Sequence, residues 1–388
     1  MTSAVKVEEP TLKQTKKPIV IGVYGISGSG KTYLLNQLKQ ELQQEPYEFF
    51  DGSEAIASVV PGGFDTFKEA NAQDKAHWRE LAIREIGKKC ATSGHTGVVA
   101  GHSMLWLEDG NMIGERIWTQ GDASTYTHIF YMDVTANIVA QRRADDGKRP
   151  RKPVPADQLA KWQEAEKQSL RHLCHEHGIV YGLIPASPSP LDGIKVLFRN
   201  LCQRTETEHR SGVEQEIDQA VLNQGQVETI LVLDADKTLA AVDTGDLFWR
   251  KLPGRQPSLA EGQVHVLKSL FSGPLGYSSN AFLQAALLYE EVSGVGEFDR
   301  LCKDVADEVT VYPEFVSLLQ TVAQHQHVGA VVLTCGLRLV WEKVLDREGL
   351  SEFVKVIGNG RVENGYIMTP AFKAAAVTRL RNKHQACV

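Results

Sequence analysis

The sequence predicts an α/β protein with two domains, each a doubly wound parallel sheet covered by helices on both faces. Short apolar, β-branched runs alternate with longer stretches of helical periodicity, the order expected of parallel strands joined by crossover helices. A chain of 388 residues is also long for a single hydrophobic core. The polar stretch 206–228 has few candidate core residues, so we expect a linker there, between domains at 18–205 and 229–388.

The composition is that of an ordinary soluble globular protein, with 42% hydrophobic and 23% charged residues. The net charge of −6 gives no overall attraction to nucleic acid or to anionic membranes, so binding to either would need a local basic patch. We expect no membrane partner, and a nucleic-acid partner is not favoured. The six cysteines lack metal or disulfide spacing, which favours reduced thiols. Residues 1–17 lack the apolar centre of a signal peptide, and no run reaches the ~20 apolar residues of a membrane span. We therefore expect a cytoplasmic protein with a disordered lead-in at 1–17.

The first domain is organised around the sequence KKPIVIGVYGISGSGKTY at 16–33. An apolar strand at 19–23 runs into a glycine- and serine-rich loop, after which Lys31 and Thr32 open a helical pattern. Strand, G-x-x-x-x-G-K-T and helix together are the phosphate-binding loop in its required context. We expect Lys31 to bridge the β- and γ-phosphates of ATP, or alternatively GTP, and the Thr32 hydroxyl to bind Mg²⁺. The residues expected to surround the phosphates are Gly25, Ser27, Gly28, Ser29 and Gly30.

Three polar residues follow later strands of this domain, where ligands bind to open parallel sheets. Asp51 follows the strand 47–50 and is a candidate general base or acceptor-binding residue, with an Asp-Gly turn as the alternative. Asp133 follows the strand 127–132 and is either a Mg²⁺ ligand or the cap of the next helix. His102, after the third strand, is a candidate phosphate contact or a packed strand-end residue.

A basic segment at 142–152 follows the fourth strand and carries six cations against two acids. It suits a mobile lid that places Arg142, Arg149 and Arg151 over transferring phosphates, with a solvated loop and a nucleic-acid contact as alternatives. Together with the phosphate loop, these features resemble small P-loop kinases of the adenylate-kinase-like kind. The resemblance covers 18–205 and implies a P-loop NTPase fold and a small-molecule phosphate acceptor, which no motif identifies.

The second domain begins with an apolar strand at 229–233 that delivers Asp234 and Asp236. Two carboxylates at i and i+2 beyond a strand end converge on one cavity, where a cation would keep both ionised. One carboxylate can then attack a phosphoryl group while the other exchanges a proton with the leaving oxygen. A strand-end turn without chemistry is the alternative.

The D-x-D-x-T at 234–238 resembles the first motif of the haloacid dehalogenase (HAD) superfamily of phosphotransferases. The resemblance implies a Rossmann-like fold in which Asp234 is the nucleophile that forms an aspartyl-phosphate and Asp236 is the general acid/base. It also implies that Asp234 and the backbone carbonyl of Asp236 hold Mg²⁺.

Two later positions extend this resemblance. Thr334 follows the apolar strand 328–333, where the superfamily places a hydroxyl on the phosphate. The approach to Lys373 looks like that of phosphoserine-phosphatase-like members, which makes Lys373 the candidate third-motif lysine and Lys355 the lesser candidate.

A helical cap at about 243–310 is predicted between these motifs, from helical patterns at 266–271, 280–292 and 298–309. In the superfamily such a cap favours small phosphorylated substrates over polymers. Asp243 stands near the place of an acidic substrate contact, with an exposed turn as the alternative.

No Asp or Glu follows Lys373, although the resembling family completes its Mg²⁺ site with an acidic pair one helix and one strand later. Here a helix at 374–382 is followed by only six residues. We therefore expect the phosphatase domain to be truncated, its sheet to lose a strand and expose an unpaired edge, and a longer C-terminus to restore activity. With too few anionic ligands for Mg²⁺, phosphatase activity of the 388-residue form should be weak or absent.

These features together predict an enzyme that joins a small-molecule kinase to a small-molecule phosphatase. A polynucleotide 5′-kinase/3′-phosphatase is one alternative, supported by the basic segment and opposed by the acidic net charge and the large cap. A nucleotide-binding regulator with a degenerate phosphatase domain is another, supported by the missing acidic pair.

Overall fold

The computed structural model describes residues 17–106, 114–147, 152–185, 190–198, 206–222, 227–260, 263, 265–362 and 366–387. These residues form two parallel sheets, one in each half of the chain, and one antiparallel hairpin. The predicted α/β class with two parallel-sheet domains is thereby confirmed. Apart from Lys17, the predicted lead-in lies outside the described residues.

The first sheet places the strand before the phosphate loop at its centre. In this strand, Ile21 and Val23 pack in one core, whereas Val20 and Tyr24 pack in another. Both faces are therefore buried, which explains the unbroken apolar run. In sheet order the parallel strands are β2 (Tyr47–Asp51), β3 (Thr96–Ala100), β1 (Val20–Tyr24), β6 (His128–Asp133) and β7 (Val180–Pro185), while β4 (Met104–Trp106) and β5 (Gly114–Arg116) form the hairpin. The helices are α1 (Lys31–Glu41), α2 (Gly52–Val59), α3 (Gly63–Glu69), α4 (Ala72–Ser93), α5 (Gln120–Thr125), α6 (Ala136–Asp145), α7 (Ala156–Glu176) and α8 (Pro190–Leu197).

The second sheet is also parallel and is likewise buried on both faces. Its strands in order are β10 (Val354–Asn359), β9 (Val328–Leu337), β8 (Thr229–Leu233) and β11 (Gln385–Cys387). The helices are α9 (Glu206–Leu222), α10 (Thr244–Arg250), α11 (Val266–Ser272), α12 (Ser279–Val292), α13 (Val295–Ala306), α14 (Pro313–Ala323), α15 (Arg338–Arg347) and α16 (Pro370–Lys383).

Helix α9 occupies most of the segment 206–228, which the sequence predicted to be a polar linker. The segment instead forms a helix that packs on the second sheet. Its Val213, Ile217, Ala220 and Val221 are buried in the core of the second sheet, together with residues of α16. The spacing i, i+4, i+7, i+8 is that of one helical face, which the surrounding polar residues obscured.

The prediction that the second sheet loses its last strand is wrong. After α16 the chain forms β11, which pairs in parallel with β8 so that Gln385 lies opposite Thr229. Three residues are too few for a periodic apolar signal, so the sequence pattern did not reveal the strand.

Helix α12, part of the predicted cap, packs against β7, the edge strand of the first sheet. The Gln284 side chain accepts a hydrogen bond from the Tyr181 N–H at 2.7 Å and donates one to the Tyr181 carbonyl at 2.8 Å. Nearby, Arg171 and Glu291 form a two-bond ion pair at 2.8 and 2.6 Å, and both side chains are largely buried. The Gln284 side chain thus makes the two hydrogen bonds to the Tyr181 backbone that a neighbouring strand would otherwise make at this edge.

Helix α12 is buried along nearly its whole length because both domains pack on it. Phe282, Leu283, Ala286 and Leu287 belong to the core of the first domain, whereas Ala281, Ala285, Leu288 and Tyr289 belong to that of the second. The cap is therefore a shared element of the two halves. Among the described helices, none combines the length and apolar character needed to cross a membrane.

Replacing Gln284 should test this shared packing. Gln284→Met keeps the side-chain length but leaves the Tyr181 N–H and carbonyl buried without partners, so we expect a loss of about 3 kcal/mol in the free energy of unfolding. Urea denaturation measures this loss. Gln168→Met, at an exposed position of α7, is the matched control and should change stability by less than about 0.5 kcal/mol. Equal effects of the two variants would contradict the role assigned to Gln284.

Candidate functional site

The phosphate loop between β1 and α1 adopts a backbone that depends on glycine. Gly28 and Gly30 have φ of 96° and 100°, in the region that side chains disfavour. A Cβ added at Gly28 would also lie 2.7 Å from Cγ of Arg143. The loop can therefore curl tightly only because these positions carry no side chain.

Lys31 lies at the start of α1 and is buried against the loop. Its Nζ donates hydrogen bonds to the carbonyls of Gly25 at 2.5 Å and Ile26 at 3.2 Å. Ser29 Oγ is buried and finds no hydrogen-bond partner among the described residues, while Thr32 is exposed on the first turn. The arrangement therefore offers an ammonium and two hydroxyls, all at the N-terminus of one helix, which suits an anionic phosphate group.

Two arginines at the end of α6 contact the same loop. Arg142 Nη1 donates to the Ser29 carbonyl at 2.6 Å, and Arg143 Nη1 donates to the Ser27 carbonyl at 3.3 Å. Arg142 thus lies at the loop, where the predicted lid would act. Arg143 was not singled out from the sequence, although its place beside Arg142 after the fourth strand was a usable signal. Arg149 and Arg151 lie outside the described residues.

The other candidates of the first domain have structural partners. Asp51 Oδ1 accepts the N–H groups of Ser53 at 2.8 Å and Glu54 at 3.3 Å and so caps α2. Strand β2 is also separated from β1 by β3, so a chemical role for Asp51 stays a prediction. His102 lies half-buried directly after β3.

Asp133 does not cap α6, and a Mg²⁺ contact of its carboxylate stays a prediction. Its Oδ1 accepts hydrogen bonds from Gln163 Nε2 at 2.7 Å and Lys167 Nζ at 3.3 Å, which fastens α7 to the end of β6. The N-terminus of α6 has Thr135 at its cap position and no side-chain cap hydrogen bond.

The second candidate site is a cavity of about 700 Å³ at the carboxyl ends of β8 and β9. These strands are paired in parallel, so their ends meet at one edge of the sheet. Four residues predicted from the sequence line this single cavity: Asp234, Asp236, Thr334 and Lys373. Lys355 lines a different cavity and donates to the Ser351 carbonyl at 3.0 Å, so Lys373 is the lysine that the fold brings to the carboxylates.

Asp234 is the exposed member of the carboxylate pair. Its Oδ1 lies 2.5 Å from Lys373 Nζ and accepts the Ala235 N–H at 2.8 Å. The ammonium neutralises the carboxylate and orients it.

Asp236 lies deeper and in a different environment. Burial raises the pKa of its carboxyl, although hydrogen bonds from the Thr244 N–H at 3.0 Å and Trp341 Nε1 at 3.1 Å act in the opposite direction. The negative charge of Asp243 adds to the upward shift. Asp236 therefore retains a proton to a higher pH than an exposed aspartate, as a general acid requires.

Thr334 and Gly336 close the other side of this pair from the carboxyl end of β9. Thr334 is buried, and its Oγ1 accepts the Gly336 N–H at 2.9 Å, which leaves the hydroxyl proton for another acceptor. A Cβ at Gly336 would lie 2.2 Å from Oδ2 of Asp236. A glycine is therefore needed at position 336, because a side chain there would clash with the Asp236 carboxylate. The sequence alone did not reveal this role.

Asp243 lines the same cavity but already has partners. Its Oδ1 caps α10 by accepting the Asp246 N–H at 3.1 Å, and its Oδ2 pairs with Lys237 Nζ at 3.0 Å. No cluster of three or more His, Cys, Asp or Glu side chains suited to a metal occurs within the described ranges.

Two family models match the chain, one in each half. Residues 24–160 match the AAA domain, and residues 231–387 match the haloacid dehalogenase-like hydrolase. These matches confirm a P-loop kinase-like domain in the first half and a HAD hydrolase domain in the second. No curated protein is similar enough to the chain to be counted as a relative.

Solved structures with similarity to the chain include a gluconokinase from Sinorhizobium meliloti 1021, at 20% identity and a TM-score of 0.29, covering 48% of this chain and 96% of that one. A HAD family hydrolase from Salmonella enterica subsp. enterica serovar Typhi has 15% identity and a TM-score of 0.23, covering 47% of this chain and 64% of that one. The Pnkp1/Rnl/Hen1 RNA repair complex has 10% identity and a TM-score of 0.26, covering 95% of this chain and 87% of that one. At these scores no activity follows from the similarity.

The environment of Asp236 can be tested through Trp341. Trp341→Phe removes a donor that lowers the pKa of Asp236, so we expect this pKa to rise further above the ordinary aspartate value. A ¹³C NMR titration of labelled aspartate carboxyls measures the pKa. Trp162→Phe, a buried tryptophan of the first domain whose Nε1 has no hydrogen-bond partner among the described residues, should leave it unchanged. A fall in the Asp236 pKa in Trp341→Phe would contradict the assigned hydrogen bond.

Proposed function

Since the chain joins a P-loop kinase-like domain to a HAD hydrolase domain, we propose that it is a phosphotransferase with two sites. One site transfers the γ-phosphoryl group of ATP to a small molecule, and the other hydrolyses a phosphomonoester. The observation that carries this proposal is the cavity at β8 and β9, which gathers two carboxylates, a hydroxyl and an ammonium around one space.

In the second half, the Asp234 carboxylate attacks the phosphorus, and the bond from phosphorus to the leaving alcohol breaks. Asp236 gives its proton to the leaving oxygen, for which its raised pKa suits it. Asp236 then takes a proton from water, which attacks the aspartyl-phosphate and releases inorganic phosphate and the Asp234 carboxylate. Through both steps the Lys373 ammonium and the Thr334 hydroxyl offset negative charge on the phosphoryl oxygens.

Asp234 and the Asp236 carbonyl are the residues that would hold Mg²⁺, which neutralises phosphate charge when bound. Two protein oxygens fit such a cation but leave most of an octahedral shell to water and substrate. We therefore expect Mg²⁺ to bind weakly here and phosphatase turnover to be slow.

In the first half, backbone N–H groups of the loop cradle the polyphosphate of ATP. With ATP bound, Lys31, which contacts loop carbonyls in this structure, would neutralise charge on the β- and γ-phosphates, and the exposed Thr32 hydroxyl would hold Mg²⁺. Arg142 lies beside the loop and meets charge on the transferring group, with Arg149 and Arg151 as further lid residues. Asp51 is the proposed base or acceptor contact.

The kinase assignment is tested by transfer of label from γ-labelled ATP to a small-molecule pool and to single-stranded oligonucleotides. Lys31→Ala should reduce transfer at least about a hundredfold, because the ammonium that meets the β- and γ-phosphates is lost. Lys39→Ala, exposed on the same helix, should behave as the unmodified chain. Full transfer by Lys31→Ala would contradict the nucleotide site, and label on oligonucleotides alone would favour the polynucleotide alternative.

The phosphatase assignment is tested with p-nitrophenyl phosphate and Mg²⁺. Asp234→Asn should abolish hydrolysis, because an amide cannot replace the carboxylate nucleophile, while ATP affinity is kept. Asp304→Asn, at an exposed position of α13, is the control and should retain activity. Hydrolysis that survives Asp234→Asn would show that another residue is the nucleophile.

A further inference from the structure

The cavity that holds Asp234 also has an aromatic wall, formed by residues of α11, of α12 and of the turn between them. Phe271, Tyr277 and Phe282 line it together with the four proposed reacting groups. The rings of Phe271 and Tyr277 are stacked, with centroids 4.8 Å apart and planes at 21°. Phe282 lies 4.9 Å from Phe271 and supports it from α12.

Tyr277 is the accessible ring of this wall. It is 70% exposed, whereas Phe282 is only 5% exposed. One face of Tyr277 rests on Phe271, which fixes the ring in place, and its remaining surface is open to the cavity and solvent. A single exposed aromatic residue is ordinary on a protein surface, but this one borders a cavity that also holds the candidate nucleophile.

The cavity is larger than a phosphate group requires. Its volume of about 700 Å³ is in the range of sites that enclose a whole small ligand. The carboxylates, Thr334 and Lys373 account for the phosphoryl end of such a ligand, so the aromatic wall is left for the group that carries the phosphate. Flat rings gain most from stacking on a flat, supported ring, because offset stacking adds to the burial of apolar area.

We propose that this site binds phosphomonoesters whose alcohol carries a planar aromatic ring, and that the ring stacks on Tyr277. The proposal rests on the proposed phosphatase function and adds the substrate class. The aromatic wall is preorganised, because Phe282 belongs to α12 and the hydrogen bonds of Gln284 and Glu291 hold α12 against the first domain. A ligand therefore need not order this support when it binds.

The experiment compares phenyl phosphate with cyclohexyl phosphate, which have the same phosphate and a similar ring size but differ in planarity. Isothermal titration calorimetry is done on the full chain with Asp234→Asn, which prevents turnover, in the presence of Mg²⁺. We expect phenyl phosphate to bind about fivefold more tightly, Tyr277→Ala to remove this preference and Tyr277→Phe to keep it. Tyr33→Ala is the matched control, because Tyr33 is 72% exposed but lies on α1 of the other domain.

Equal affinity for the two esters, an unchanged preference in Tyr277→Ala, or no binding of either ester would each overturn the proposal. Hydrolysis is measured separately in the chain that retains Asp234. Hydrolysis of both esters with no dependence on Tyr277 keeps the phosphatase function and rejects the ring site. Aromatic preference in a chain that hydrolyses neither ester keeps the ring site and contradicts the proposed phosphatase.

Discussion

The open edge of β7 is the constraint on which the arrangement of the two halves depends. An edge strand exposes backbone N–H and carbonyl groups that must find partners, and in the first sheet those of Tyr181 are satisfied by Gln284 of α12. The ion pair of Arg171 with Glu291 lies beside this contact and is largely buried. The sequence predicted α12 only as part of a cap over the second domain. The Gln284 contact shows that the helix also packs on the first domain. It fixes the cap to the first domain and so gives the second cavity a supported wall.

A second constraint acts at the end of β8, where two carboxylates share one cavity. Their environments differ: Asp234 is exposed and paired with Lys373, whereas Asp236 is desolvated and surrounded by neutral donors. Burial raises the pKa of the Asp236 carboxyl, which suits it to act as the acid, while Asp234 lies exposed and within reach of a phosphoryl group. Gly336 makes the arrangement possible, since any side chain there would occupy the space of the Asp236 carboxylate.

The sequence predicted those parts of the molecule whose signals are local. The phosphate loop and the D-x-D pair depend on adjacent residues and a preceding strand, and the structure places Lys373 and Thr334 where the motif order indicated. Contacts between distant segments leave no periodic signal in the sequence. Gln284 and Tyr181 are 103 positions apart, and no sequence pattern identifies a glutamine that hydrogen-bonds to the backbone of an edge strand. The face of α9 was hidden among polar residues, and β11 was too short to recognise. Asp51 caps α2 in the structure. An aspartate at the end of a strand has the same sequence context whether it caps a helix or takes part in catalysis, so the sequence could not distinguish the two roles.

In the proposed phosphatase reaction, Asp234 carries the phosphoryl group during turnover. An acyl phosphate on aspartate is reduced by borohydride to homoserine, which peptide mass spectrometry can locate. The full chain, mixed with Mg²⁺ and phenyl phosphate and then treated with borohydride, should yield homoserine at position 234 and only when the ester is present. Ester hydrolysis without homoserine at 234, or with homoserine at another position, would contradict the assignment.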